Sequence, residues 1–401
     1  MHSPLTSAVI DVGSSSTKCG FSGEEAPRAT FPSYVGIPRH AGLPGTLLRH
    51  RSDVAAGDDA FRDRGLLLLR RPVRAGQVVD YDALEELLYH TLYGRLQVQP
   101  EQTPVLFVAP ADISRPSREK VAELFFESFS VPLCSFLSAS AATVYATGRT
   151  TGVAVDSGAG RTTVAAVTDG YTLHHSMRSS LVAGDVLTDE LFRCLQEKGY
   201  PLSTETDWET VERAKEALCR VSTDLADDQR LLNEAGPRLA DSFTLPDDER
   251  LFLCEHQFLI PERLFDPARL GDAHCRTARP RTPTGYSAPN AACWAAPAGW
   301  TTMIEDVIAN SPAVAQDELY GSVVLGGGTS MLRDMEKRLQ KELVQRCGNV
   351  PPVRCVAFAE RAQAAWMGGS LWSCGPHFAH ACTAKADYDE SGPNVVHRTA
   401  F

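Results

Sequence analysis

Two aspartates stand beside glycine in matching local settings. Ser7–Phe21 reads S-A-V-I-D-V-G-S-S-S-T-K-C-G-F, and Gly152–Val167 reads G-V-A-V-D-S-G-A-G-R-T-T-V-A-A-V. Each run places an aspartate, Asp11 or Asp156, at the end of a β-branched stretch and just before a glycine, Gly13 or Gly158. Small hydroxyl or glycine residues follow, then a second apolar stretch. The pattern predicts a strand, a tight turn and a returning strand, with glycine supplying backbone freedom at the bend. Ser14, Ser15 and Ser16 in one turn, and Gly158 and Gly160 in the other, are small enough to let backbone amides approach an anion; Lys18 is the cation at hand. A third turn, Gly326-Gly327-Gly328-Thr329-Ser330, follows Val323-Val324-Leu325 and precedes a helical pattern with Leu332, Met335, Leu339 and Leu343. A glycine turn feeding a helix N-terminus is a platform for an anion or a nucleoside. A nucleoside triphosphate with Mg²⁺ asks for this set: amides around its phosphates, a cation at the β-phosphate, and carboxylates that hold the metal through water. Taken singly, each motif is more readily a plain hairpin or turn. Together they point to that chemistry.

The elements that must position these residues are legible. Asp82–Leu96 sets Leu84, Leu87, Leu88, Leu92 and Leu96 on one helical face, and Ser117–Phe129 does the same with Val121, Leu124, Phe125 and Phe129. Thr206 with Glu209 reads as a capping-box start for a helix carrying Val211, Ala214, Leu218 and Val221. Pro104–Ala109 and Tyr320–Leu325 are short strand-like runs. Two unrelated hairpins would explain the repeated Asp-x-Gly pattern; its recurrence with helices after each copy points to a duplicated α/β unit. At about 150 residues per domain, 401 residues suggest two to three domains.

Composition excludes several classes. Lys+Arg 39 against Asp+Glu 50 gives a net charge of −11, which argues against nucleic acid as a direct partner because phosphate binding needs a basic face. No run approaches the ~18 apolar residues of a membrane span. The 11 cysteines include no Cys-x-x-Cys, and Cys374 and Cys382 around His377 and His380 lack tight ligand spacing. With no basic-then-apolar leader over Met1–Ser7, reduced and mostly buried thiols in a cytosolic or nuclear setting are expected. Residues 276–298, rich in Arg, Pro and Ala and without an acidic residue, read as an inserted surface loop; a partner-binding arm is the sharper alternative.

The chain resembles the actin family from its first strand to its last residue. Ile10-Asp11-Val12-Gly13 through Lys18-Cys19-Gly20-Phe21 is similar to the family's first phosphate loop, and Asp156-Ser157-Gly158 to its second. Ala26-Pro27-Arg28-Ala29, Phe31-Pro32-Ser33, Pro38-Arg39-His40 and Gly57-Asp58-Asp59-Ala60 follow in the family's order. Tyr145-Ala146-Thr147-Gly148-Arg149-Thr150-Thr151-Gly152 resembles its hinge, Lys215-Glu216 with Leu218-Cys219 its nucleoside-contacting helix, and Tyr388-Asp389-Glu390-Ser391-Gly392-Pro393 to Phe401 its carboxyl-terminal signature. That last block points away from the sugar kinases, which share the core fold. The resemblance implies an α/β, actin-like duplicated ATPase fold, with two lobes around a nucleotide cleft. The first lobe is residues 1–146 plus 364–401, with a small subdomain at about 33–70; the second is 147–363, with a small subdomain at about 183–271. It further implies ATP and Mg²⁺ as ligands, bound by Asp11, Gly13, Ser14, Lys18, Asp156, Gly158, Gly160, Lys215, Glu216, Gly326, Gly327 and Gly328. Asp11 and Asp156 would hold the metal through water.

Departures from the family shape the functional expectation. Ala139 stands where actin has a water-orienting glutamine, Ala159 where it has an aspartate and Thr163 where it has a histidine. Loss of such groups is commonly worth roughly 10²–10⁴ each in rate, so no catalytic residue is assigned and a pseudo-ATPase is expected. Ala362 replaces a lysine of the adenine pocket and Ser15 a loop glycine, which would matter if that position needs positive φ. Leu43–Ala56, matching the loop that docks on a neighbouring subunit, is rewritten, and the insertion enters at Cys275 behind Leu270-Gly271, so self-polymerisation is disfavoured. The expectation is a scaffold or cytoskeletal protein of the cytoplasm, with cytoskeletal or actin-binding partners and no membrane span. Among divergent relatives this points towards spermatogenesis. The alternatives are a polymerising ATPase and a docking subunit of a larger nuclear complex.

Overall fold

Alternation of apolar residues along the strands decides where the layers form. The structure, a computed structural model, describes residues 6–38, 54–235, 241–245, 248, 250–269, 298–347 and 352–399. It divides into two units: Met1–Asp156 with Ala165–His174 and Gln363–Phe401, and Ser157–Val164 with His175–Ala362. The strand Thr162–Thr168 begins in the second unit and ends in the first.

In the first unit, six strands pair in the order Thr383–Ala384, Leu133–Ser138, Val105–Ala109, Ala8–Val12, Ser16–Phe21 and Ala29–Pro32. Val105–Ala109 runs parallel to both of its neighbours, and Ala8–Val12 turns back antiparallel into Ser16–Phe21. Successive side chains point to opposite faces. Ala8, Ile10 and Val12 share a core with Leu84, Leu87, Leu88, Leu92, Phe125 and Phe126, while Val9, Leu106, Val108 and Leu137 join Ala141, Ala142, Val144 and Trp366 on the other side. Helices Ala139–Tyr145 and Ala364–Ser373 cover that second face.

The leucine-rich helix runs over Tyr81–Tyr89 and continues as π-helical turns over His90–Leu96; Asp80 caps it by accepting from the Ala83 amide at 3.0 Å. All five predicted leucines are buried. The next helix starts earlier than its apolar period suggests, at Arg115–Glu123 with π-helical turns over Leu124–Ser128, because Ser114 caps it and Pro116 fits its first turn.

The second unit carries the antiparallel pairing of Thr162–Val164 with Arg178–Ser180, and the parallel pair Val323–Gly326 and Cys355–Val356. The strand-like run at Tyr320–Leu325 begins late, since Tyr320 closes the helix Ala313–Tyr320 and the strand starts at Val323. The expected capping box at Thr206 and Glu209 lies two residues upstream. Thr204 Oγ1 accepts from the Asp207 amide at 3.1 Å, and Asp207 Oδ2 accepts from the Ser203 and Thr204 amides at 2.8 Å each. The shorter aspartate side chain reaches both amides, so the helix is Glu205–Leu218 and Thr206 falls inside its first turn. Arg338 joins three elements here, donating to Glu262 at 2.7 Å, Glu342 at 2.6 Å and the Ser222 carbonyl at 2.5 Å. Further along, the Trp300 amide donates to the Leu264 carbonyl at 3.0 Å. The insertion at 276–298, apart from Ala298, and the rewritten segment from Leu43 to Asp53 lie outside the described residues. Among the described residues no helix is long and apolar enough to cross a membrane.

Candidate functional site

In the first unit, antiparallel register sets Asp11 directly opposite Lys18. Lys18 Nζ lies 3.5 Å from Asp11 Oδ2, with the two side chains 15% and 16% exposed, so the cation and carboxylate are held beside the turn yet remain reachable. The turn closes through the Gly13 amide donating to Ser16 O at 3.0 Å. Gly13 is required for close approach rather than for positive φ, since a Cβ there would sit 2.9 Å from Ser16 O. Ser15 is not among the positive-φ residues of the described chain, so serine costs no strain there. Its carbonyl accepts from the Ser33 amide at 2.9 Å, and Ser14 Oγ accepts from the Gly76 amide at 3.2 Å. The amides of Ser14 and Ser15 have no acceptor among the described residues.

The second unit repeats the bonding. The Gly158 amide donates to Arg161 O at 3.0 Å, the same offset as in the first turn. Gly158 O accepts from the Gly184 amide at 3.2 Å and from Thr329 Oγ1 at 2.8 Å, and Ala159 O accepts from the Asp185 amide at 2.7 Å. A trans peptide places its N–H opposite its C=O. With both carbonyls committed to protein donors, the amides of Ala159 and Gly160 are turned the other way and find no acceptor among the described residues. Two adjacent outward amides are the donor pair an anion binds.

The glycine turn belongs to the same constellation through Thr329, but it does not feed a helix directly. Gly327 has φ 82°, its amide donates to Arg361 O at 3.0 Å, and a 3₁₀ turn over Gly328–Met331 intervenes before the helix Met335–Cys347. Asp334, at φ 62°, marks the break. The turn is thus a backbone platform without a helix N-terminus behind it.

Lys215 and Glu216 part company. Lys215 is only 5% exposed, and its Nζ donates to Gly184 O at 3.0 Å and Thr188 Oγ1 at 2.7 Å; Glu216 is exposed. The residues that the sequence did not single out and that the structure brings to this turn are Gly184 and Thr329 through its hydroxyl. A Cβ on Gly184 would lie 2.9 Å from Thr329 Oγ1 and 3.2 Å from Ala159 Cα. The one available signal was a glycine opening the amphipathic helix Gly184–Glu197. Asp156 sits half-buried in the strand Gly152–Ser157.

The three replaced positions are accounted for separately. Ala139 opens the helix Ala139–Tyr145 and packs against the apolar core of the first unit. Ala159 lies in the second turn, and Thr163 pairs in register with Ser179. No side-chain base stands at any of them.

The residues present fit a nucleotide's phosphates with Mg²⁺. Each unit offers, on a closed turn, two amides without an acceptor among the described residues, and the first adds a carboxylate–lysine pair. This defines an α/β protein built on a duplicated Asp-x-Gly hairpin. The family model described as actin matches residues 2–401. The chain belongs to the actin family, and its fold is the actin-like one of two lobes.

Proposed function

We propose that this actin-family chain is a scaffold or cytoskeletal component that binds ATP with Mg²⁺ statically and hydrolyses it slowly. The observation that carries the reading is a contrast within the sites. Closed turns whose amides find no acceptor among the described residues recur in both units, while the position that would orient an attacking water is a methyl group, Ala139, packed on a core. Asp11 and Asp156 are the carboxylates suited to hold Mg²⁺ through water. Hydrolysis without an orienting side chain leaves water activation to bulk solvent, and general acid–base assistance alone is worth about 10²–10⁴ in rate. A nucleotide held this way serves stability: a ligand at about 1,000 times its Kd adds about 4 kcal/mol to the folded state. The cytoplasm and cytoskeleton are the setting this reading favours, with actin-binding proteins as partners.

The test is the nucleotide released on denaturing purified protein, resolved by chromatography, together with hydrolysis by the Ala139→Gln variant. The expected result is mostly ATP from the unaltered chain and faster turnover in the variant. Mostly ADP, or rapid turnover by the unaltered chain, overturns slow hydrolysis. No nucleotide, and no thermal shift with ATP and Mg²⁺, overturns binding.

A further inference from the structure

We propose that Lys215 is a positioning residue for the second phosphate turn, not a contact to the nucleoside. The inference rests on the nucleotide-binding reading above. Lys215 lies on the helix Glu205–Leu218 with its side chain almost wholly buried, and both hydrogen bonds of its Nζ go to the N-terminal end of the helix Gly184–Glu197. The two acceptors are themselves linked, since Thr188 Oγ1 donates to Gly184 O at 3.0 Å. Nζ, Oγ1 and the carbonyl form a closed triangle that fixes where this helix begins.

That start is what sets the turn. The helix has no side-chain cap at its N-terminus. Two of its orphan amides, Gly184 and Asp185, are satisfied instead by the carbonyls of Gly158 and Ala159. Those same bonds turn the Ala159 and Gly160 amides outward. Tightening at Gly184 leaves little slack, because even a methyl group there would press on Thr329 Oγ1 and Ala159 Cα. A displacement of the Gly184 peptide therefore passes directly into the two amides that would meet phosphate. Geometry of donors, more than their number, governs such sites.

A nucleoside contact and a turn-positioning role predict different losses. Lys215→Met keeps the unbranched stem and removes the donor. Binding of ATP and of inorganic tripolyphosphate, each with Mg²⁺, would be measured calorimetrically for the unaltered and variant full-length chains, with hydrogen exchange at the Gly184 and Asp185 amides. A positioning role predicts that tripolyphosphate and ATP both weaken, by about tenfold or more, and that the two amides exchange faster without ligand. Thr188→Val, which removes one corner of the triangle, is expected to shift the same readouts in the same direction by less. Loss of ATP affinity with tripolyphosphate binding unchanged would overturn the inference in favour of a nucleoside contact. Unchanged exchange at Gly184 and Asp185 would overturn it as well. If the unaltered chain binds neither ligand, the nucleotide reading fails, and the exchange result still judges whether Lys215 fixes the helix start.

Discussion

Cys19, Cys219, Cys355 and Cys382 are buried, and burial pushes each thiol up to about 12 from an ordinary 9.0. The folded state thus holds protons that the unfolded chain gives up first. Their contribution to stability is full below pH 9 and is lost as pH rises towards 12. A series of urea midpoints should be flat up to about pH 9 and fall beyond it; a midpoint rising across that range would contradict the assignment. In native protein at pH 8, Ellman's reagent should reach exposed Cys374 first and those four thiols only after denaturant is added. Residue-level legibility in the sequence was uneven for a physical reason. Asp11 and Lys18 stand out singly by their types beside a glycine turn, while their pairing comes from the strand register that puts them opposite one another. The targets of Lys215, on a separate helix, follow from tertiary packing that no local pattern encodes.

At the scale of elements, the close seat of the helix Ala364–Ser373 on Ala139–Tyr145 depends on one missing carbon. A Cβ on Gly368 would lie 1.7 Å from the Ala142 carbonyl oxygen, so Gly368→Ala must drive the two helices apart. Overpacking of this kind costs about 1–3 kcal/mol and more when backbone is the obstacle. The expected outcome is a drop of that size in the chemical unfolding free energy; a variant as stable as the parent would show that the helices are not so close. Because Ala139 opens the partner helix, the same substitution should also disturb any gain in turnover from Ala139→Gln. Periodicity marked the leucine face of Tyr81–Leu96 well, since burial on one side imposes that spacing. It failed at helix starts. The Thr204–Asp207 and Thr206–Glu209 pairs have the same spacing, and only the reach of the carboxylate to two amides separates them. The glycine turn at Gly326–Gly328 looked continuous with its helix because a positive-φ aspartate, Asp334, leaves no compositional mark.

On the scale of the whole molecule, each unit holds its own copy of the turn, and the matched bonds at Gly13–Ser16 and Gly158–Arg161 are the surviving trace of duplication. The repeat was visible in the sequence as Asp-x-Gly, whereas the passage of the strand Thr162–Thr168 from one unit to the other was not, because an apolar strand reads alike in either. The bond from the Trp300 amide to the Leu264 carbonyl draws together two points of the chain that flank the Arg/Pro/Ala-rich stretch. Loop entropy changes only with the logarithm of length, about 0.6 kcal/mol per doubling. Replacing residues 276–297 by a short Gly-Ser linker should therefore move the thermal unfolding midpoint by only about 2–4 °C, as read by calorimetry; a collapse in stability would mean that the stretch packs into the fold. With Leu264 and Trp300 tied, the stretch between them is expected to serve as a socket. A fluorescent reporter or an affinity handle spliced in there would travel with the protein while both termini stay native.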